Sequence, residues 1–287
     1  MMRGGRGSFG FGLARSLDFH ASLAAFTELC DLLSREVGTV FYPHHALSYS
    51  ELARGLERGE LGLAWMPPVM AAEVEDRAGA SLVVTPVRRG STLFHSALIV
   101  RPSGPTTLEG LQGLRAGWVD RASAAGHLVP KMHLASAGHR LGGFFGNEAF
   151  LGSHIAVVDA LLSDRIDVGA TFCKVETHSG RILHAAWTAP DGGDPRPVRV
   201  LSTIGPIPND VIMAGNRLPA EARTRVLRWF LDPAPRVKEL LGQLVRADAY
   251  RSVTPSHLEP LRKMMAASAA RGETPWRDRM TSIPPPP

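Results

Sequence analysis

The chain has 287 residues, of which 44% are hydrophobic and 21% are charged, and its formal net charge is +5. This is the composition of an ordinary globular protein, and it argues against an intrinsically disordered or a membrane-embedded chain. The arginines are scattered singly or in pairs, and no basic stripe is interleaved with aromatic residues. The sequence therefore does not indicate nucleic-acid binding, whereas a mild positive excess suits a small anionic ligand.

Strand-like and helical segments alternate along the chain, which predicts an α/β fold with mainly parallel strands flanked by helices. Strands are predicted at 7–13, 39–42, 61–66, 81–87, 92–101, 114–119, 166–172, 198–202 and 211–214. Helices are predicted at 18–37, 49–58, from 68, from about 124, and at 154–163, 218–231, 235–246 and 255–270, with a short one opening at 106–110. A surface loop at 189–197, a turn at 205–208 and an unstructured tail at 282–287 complete the prediction.

Two helix starts are marked by their residue types. Ser48 is a predicted N-cap with Glu51 three residues on, the pattern of a capping box. Pro67 and Pro68 suit the opening of the next helix, because the N–H groups of a first helical turn are unused. On the helix at 18–37, one apolar face is predicted, made of Leu23, Phe26, Leu29, Cys30 and Leu33.

The order of elements predicts two lobes. One is built from residues 1–101 together with 205–281, and the other, residues 102–204, is inserted between these parts. The chain would then cross between the lobes twice and leave a cleft between them, lined by the carboxyl ends of the strands. Clefts between lobes are favoured ligand sites.

The segment from Trp118 to Pro130 is the clearest candidate for ligand contact. It predicts a buried strand followed by a short polar loop and a helix, which places the Ser123 hydroxyl and unpaired backbone N–H groups at a helix N-terminus. Such a terminus can hold a small anion without a metal or a lysine. Ser123 could equally act as a helix N-cap only, and the two roles are compatible.

Several passages resemble, in the same order, the phosphate and phosphonate substrate-binding proteins of ABC transporters. They span roughly residues 8 to 215 and comprise Tyr49-Ser-Glu-Leu, Gly59 to Pro68, Ser96 to Arg101, Thr107 to Gly113, Asp120 to Pro130, Gly152-Ser-His154 with Val157-Val-Asp-Ala-Leu, and Asp167-Val-Gly-Ala170. The resemblance implies a two-lobed fold of the type II periplasmic-binding-protein class. It also implies a monomer without cofactor or catalytic residues that binds a small anion and delivers it to an ABC permease, or that serves as a ligand sensor.

The resemblance also implies particular ligand residues. Where the family usually has Ser-Thr-Ser, this chain has Ser123, Ala124 and Ala125, so two hydroxyls are missing. Each missing hydroxyl costs about 1 kcal/mol if its oxygen partner stays unpaired. The resemblance also implies an aromatic residue with a hydroxyl just before the strand that crosses between the lobes. In this chain that position is Phe94, with His95 beside it. His154 matches the ligand histidine of the family, and at a helix start a neutral imidazole is favoured.

The full set of predicted ligand residues is Ser123, Ala124, Ala125, Gly126, His154, Tyr49, His95, Lys174 and Asp210. Lys174 with Glu176 could instead form a salt bridge at the rim, and Asp210 could simply satisfy N–H groups of a turn. Trp65 is interpreted as a core residue. Adjacent His44 and His45, without supporting carboxylates or cysteines, do not indicate a metal site.

An alternative function remains open. A cytoplasmic enzyme on the same scaffold, resembling chorismate dehydratase of the futalosine pathway to menaquinone, would need a base near the substrate, and no such residue is evident. The family resemblance implies the periplasm. As written, however, the N-terminus has no apolar run that predicts an export signal or a membrane span, which favours the cytoplasm.

Overall fold

The computed structural model describes residues 7–14, 19–176, 178–188 and 195–277, so the predicted tail and most of the loop at 189–197 lie outside the described residues. The strands are β1 (Ser8–Ala14), β2 (Val40–Ala46), β3 (Leu61–Met66), β4 (Ser81–Val87), β5 (Leu93–Val100), β6 (Arg115–Trp118), β7 (Asn147–Phe150), β8 (Val168–Val175), β9 (Ile182–Ala185), β10 (Arg199–Pro208), β11 (Val211–Ala214) and β12 (Ala249–Ser252). The α-helices are α1 (Phe19–Val37), α2 (Tyr49–Glu57), α3 (Pro68–Ala78), α4 (Val129–Ser136), α5 (His154–Leu162), α6 (Ala220–Leu231), α7 (Pro235–Val245) and α8 (Glu259–Ala269). Short 3₁₀ turns lie at Glu109–Leu111 and Pro255–Leu258, and a π-helical turn spans Ala124–Leu128.

The chain divides into two compact units. The first unit comprises Met1–Thr92 with Asn209–Leu258, and the second unit comprises Leu93–Pro208 with Glu259–Pro287. These boundaries differ from the expected 1–101 with 205–281 and 102–204. One reason is that β5 is hydrogen-bonded to β8 and β10, so it belongs to the sheet of the second unit. Another is that α8 packs on α4 and β10 of the same unit.

The first unit is built on a six-stranded sheet in the order β12-β4-β11-β3-β1-β2. β2, β1 and β3 are parallel, whereas β11, β4 and β12 are antiparallel to their neighbours. The apolar face of α1 packs in this unit's core, where Phe26, Leu29, Cys30 and Leu33 are buried as predicted, although Leu23 is 39% exposed. Trp65 belongs to the same core, as the sequence predicts.

The second unit is built on a sheet in the order β10-β5-β8-β6-β7, with β9 paired to β8. β8, β6 and β7 are parallel, while β10, β5 and β9 run antiparallel to their neighbours. Both sheets are thus mixed rather than mainly parallel. The strands that begin and end the long segment of the second unit, β5 and β10, pair with each other in opposite directions.

The predicted helix starts are present. The Ser48 hydroxyl accepts a hydrogen bond from the N–H of Glu51 at 3.2 Å. In a capping box the Glu51 carboxylate would accept from the N–H of Ser48 itself. Here it accepts instead from the N–H of the preceding residue, Leu47, at 2.8 Å. α3 begins at Pro68, as the sequence predicts.

Other local predictions are wrong. The predicted turn at Gly205–Pro208 is part of β10, whose register to β5 shifts between Ile204 and Ile207. The four-residue strands β7, β9 and β12 were not predicted. β8 runs on to Val175, so Lys174 lies inside this strand instead of following it.

Candidate anion-binding site

Most of the predicted ligand residues lie at one edge of the sheet of the second unit. β6, β7 and β8 are parallel, so their carboxyl ends share that edge, and antiparallel β5 has its amino end there. The residues brought to this edge are Ser123, Ala124, Ala125 and Gly126 after β6, His154 after β7, Lys174 near the end of β8 and His95 near the start of β5. The segments after β6 and β7 are joined directly, because Leu151 and Gly152 donate from N–H to the carbonyls of Trp118 and Val119, each at 2.8 Å.

The segment after β6 presents unpaired hydrogen-bond donors. The Ser123 hydroxyl accepts from the N–H of Gly126 at 3.0 Å, which makes Ser123 the N-cap of the π-helical turn. Within the described part of the chain, the N–H groups of Ala124 and Ala125 donate to no protein oxygen. The first N–H groups of a helix have no partner inside it, so these two amides and the Ser123 hydroxyl hydrogen remain available to an anion.

The position of this turn is fixed from both sides. The buried hydroxyl of Ser96 on β5 donates to the carbonyl of Ala125 at 2.6 Å. The Gly126 carbonyl accepts from the N–H of Val119 at 3.1 Å, and a Cβ atom at Gly126 would lie only 2.4 Å from Cγ2 of Val119. Sequence reasoning missed Ser96, because its role depends on pairing across the sheet.

His154 is the first residue of α5, after the N-cap Ser153, whose hydroxyl accepts from the N–H of Ala156 at 3.1 Å. Its Nδ1 lies 2.9 Å from the hydroxyl oxygen of buried Thr171 on β8. Burial lowers the pKa of His154 to about 4, so the imidazole is neutral at physiological pH. Among the described residues no partner is found for Nε2, which leaves this atom for a ligand.

Phe172 is a second residue that sequence reasoning missed. Its ring centroid lies 5.0 Å from that of His154, edge to face, and 5.7 Å from that of His184 on β9. Phe172 pairs with Ser96 across β5 and β8, and Ser96 holds the Ala125 carbonyl. An aromatic side chain therefore lies beside the donors described above.

His95 and Lys174 flank this group. Burial lowers the pKa of His95, and in the described residues its buried Nδ1 has no hydrogen-bond partner. Lys174 pairs in register with His184 on β9.

Tyr49 and Asp210 belong to the first unit. Tyr49 is the first residue of α2. The Asp210 carboxylate accepts from the Arg88 guanidinium at 3.0 Å, and the Asp210 carbonyl accepts from the Thr85 hydroxyl at 2.9 Å. The carboxylate is thus already neutralised by a cation of its own unit, and ligand contact by Tyr49 and Asp210 stays a prediction.

The described residues contain no group of three or more His, Cys, Asp or Glu side chains placed to hold a metal ion. Among the same residues, no helix combines the length and apolar character needed to cross a bilayer. Cys30 and Cys173 are both buried, which raises the pKa of each thiol to about 12 and favours the uncharged form.

Residues 11–258 match the family profile of the phosphonate ABC transporter periplasmic substrate-binding proteins. The chain belongs to this family. Membership agrees with the resemblance found in the sequence, and it does not favour the alternative of a dehydratase-like enzyme. The family is a substrate-binding component of transporters and works in the periplasm.

Solved structures share the fold. XAC2383 from Xanthomonas citri, solved with ATP, is 20% identical, with a TM-score of 0.74 over 93% of this chain and 98% of that one. A binding protein component of an ABC phosphonate transporter from Pseudomonas aeruginosa (PA3383) is 20% identical, with a TM-score of 0.68 over 93% and 88%. PhnD1 from Prochlorococcus marinus, in complex with methylphosphonate, is 17% identical, with a TM-score of 0.65 over 90% and 97%. The predicted α/β fold of the type II periplasmic binding proteins is thereby confirmed.

Proposed function

We propose that this chain binds a small phosphonate or phosphate-type oxyanion at the carboxyl edge of the sheet of the second unit. We also propose that it delivers the ligand unchanged to an ABC permease from the periplasm. The observation that carries this proposal is the grouping of the unpaired amides of Ala124 and Ala125, the Ser123 hydroxyl and neutral His154 on neighbouring segments. Two of the solved relatives hold methylphosphonate and ATP, and both ligands carry phosphorus oxyanions.

Neutral donors suit a transport protein because they bind an anion reversibly. Amide, hydroxyl and imidazole hydrogens each stabilise a charged acceptor by about 1.5–3 kcal/mol in a desolvated site. Since Ala124 and Ala125 lack hydroxyls, oxygens of the ligand depend on backbone N–H groups. We therefore expect weaker binding than in a relative that has three hydroxyls at these positions.

Replacing Ala124 by proline tests the role of its amide. Proline removes one N–H donor and is tolerated at the first position of a helix. The preceding Ser123, with ψ of 120°, has the extended backbone that a following proline requires. Titration calorimetry with methylphosphonate and inorganic phosphate should show Ala124→Pro binding about tenfold more weakly than the native chain.

Ala124→Ser is the matched control, because it retains the N–H and adds a hydroxyl. It should bind at least as tightly as the native chain, and thermal unfolding of both variants checks that they fold. If the native chain binds neither anion, or if Ala124→Pro binds both as tightly as the native chain does, the proposal is wrong.

A further inference from the structure

Phe172 faces the side of the sheet on which the turn Ala124–Leu128 lies, because it pairs with Ser96, whose hydroxyl donates to the Ala125 carbonyl. Its neighbours along β8, Thr171 and Cys173, are fully buried, and Cys173 packs in the core with Val157 and Val158 of α5. Because successive side chains of a strand point to opposite faces, Phe172 points away from that core. It is only partly buried, so part of its ring is open to contact.

The ring is oriented by two imidazoles. The ring of His154 meets it at an interplanar angle of 90°, and that of His184 at 47°. The backbone of Phe172 is held by pairing to Ser96 of β5. The partly exposed ring of Phe172 is therefore held in direct contact with the ring of His154. In the proposed function, His154 donates a hydrogen bond to the anion.

An apolar ring beside a set of oxyanion donors is poorly matched to inorganic phosphate. A fourth phosphate oxygen turned towards Phe172 would lose water without gaining a hydrogen bond, which is unfavourable. A phosphonate can instead give its three oxygens to the donors and its carbon substituent to the ring. A planar aromatic substituent would gain most, because offset and edge-to-face ring contacts stabilise beyond the area they bury.

We infer that Phe172 is a specificity-determining residue that selects phosphonates or phosphate monoesters carrying an aromatic ring next to the phosphorus group. The inference rests on the proposed function, since it takes the anion to lie at Ser123 to Ala125 and His154. The Phe172 ring contacts the substituent, and the donors contact the oxyanion.

Titration calorimetry with methylphosphonate, cyclohexylphosphonate and phenylphosphonate tests this selection. The cyclohexyl compound is close to the phenyl compound in size but is neither planar nor aromatic. The native chain should bind phenylphosphonate about fivefold more tightly than either of the others. Phe172→Leu keeps an apolar side chain without the ring, and it should lose this preference while its affinity for methylphosphonate stays within about twofold.

Phe144→Leu is the matched control. Phe144 also contacts a histidine ring, since its ring centroid lies 4.8 Å from that of His139. However, the Phe144 carbonyl accepts a hydrogen bond from the N–H of Gly113, which precedes β6, so Phe144 lies at the opposite edge of the same sheet. This variant should keep the full preference for phenylphosphonate.

The outcomes separate the two proposals. If the native chain binds all three phosphonates equally, or if Phe172→Leu keeps the preference or loses methylphosphonate binding as well, the inference about Phe172 is overturned and the proposed function stands. If the native chain binds none of the three phosphonates and no inorganic phosphate, both are overturned.

Discussion

At the scale of single residues, the pairing of His154 with Thr171 determines what the imidazole can offer a ligand. A neutral imidazole carries one hydrogen, on Nδ1 or on Nε2. An oxyanion at Nε2 selects the form with the hydrogen on Nε2, and Nδ1 must then accept a hydrogen bond. The Thr171 hydroxyl, 2.9 Å from Nδ1, is placed to donate it.

Replacing Thr171 by valine should therefore weaken anion binding. Valine has a similar shape but cannot donate to Nδ1, so a buried acceptor is left without a partner and the useful imidazole form is no longer favoured. We expect methylphosphonate affinity to fall about fivefold in Thr171→Val, measured by titration calorimetry. Thr171→Ser keeps the hydroxyl and should stay within about twofold of the native chain. Equal affinity in Thr171→Val and the native chain would show that the contact does not position the imidazole.

The sequence identifies some of these residues and misses others for a physical reason. Ser123 and His154 follow small or polar residues at predicted helix starts, and this local pattern can be read directly. Thr171, Phe172 and Ser96 lie inside strands, and their roles arise from neighbours across the sheet. Strand register depends on tertiary packing, which a single sequence does not specify.

At the scale of elements, the π-helical turn after β6 depends on close packing at Gly126. A side chain there would come within 2.5 Å of Cβ of Val119 and 2.8 Å of the Ser123 hydroxyl oxygen. The turn has no room to move away, because Ser96 holds the Ala125 carbonyl on its other side.

Gly126→Ala should therefore displace the turn and its amides. We expect the free energy of unfolding to fall by about 1–3 kcal/mol, because overpacking against a buried β-branched side chain forces the backbone to shift. Urea unfolding measures this loss, and calorimetry should show weaker methylphosphonate binding. Gly142→Ala is the control, since a Cβ there has no atom within 4 Å among its described neighbours. A Gly126→Ala variant as stable as Gly142→Ala would contradict the packing argument.

Elements that are bounded by strong local signals are predicted well. β3 and β4 have the predicted bounds, and α2, α3 and α5 start where their caps or prolines place them. The missed strands β7, β9 and β12 have only four residues each and one hydrogen-bonded neighbour, so their pattern is too short to stand out. The Gly-Pro-Ile-Pro sequence at 205–208 looks like a turn, yet pairing to β5 keeps this segment in a strand.

At the scale of the whole molecule, buried histidines link stability to pH. Burial lowers the pKa of His95, His133 and His154 in the second unit and of His257 in the first. Near and below the ordinary histidine pKa of about 6.5, the unfolded chain binds more protons at these residues than the folded chain does. The unfolded state then holds more protons, so acidification favours unfolding.

The size and pH window of this effect can be stated for His154. Its pKa of about 4 in the folded chain keeps it neutral at pH 5.5, where an unfolded histidine is mostly protonated. Going from pH 7.5 to 5.5 should therefore cost about 1.4 kcal/mol of unfolding free energy from this residue alone. Carboxylates with lowered pKa values, such as Asp167, contribute mainly below this range, because their ordinary pKa values are 3.8 to 4.5.

Urea unfolding at pH 7.5 and 5.5 measures the predicted loss. The native chain should lose more than 1.4 kcal/mol because His95, His133 and His257 add to it, and His154→Gln should lose about 1.4 kcal/mol less than the native chain. His178→Gln removes an exposed imidazole and should behave like the native chain. A native chain equally stable at both pH values would mean that the buried imidazoles take up protons without unfolding, and at pH 5.5 His154 would then meet the anion as a cation rather than as a neutral donor.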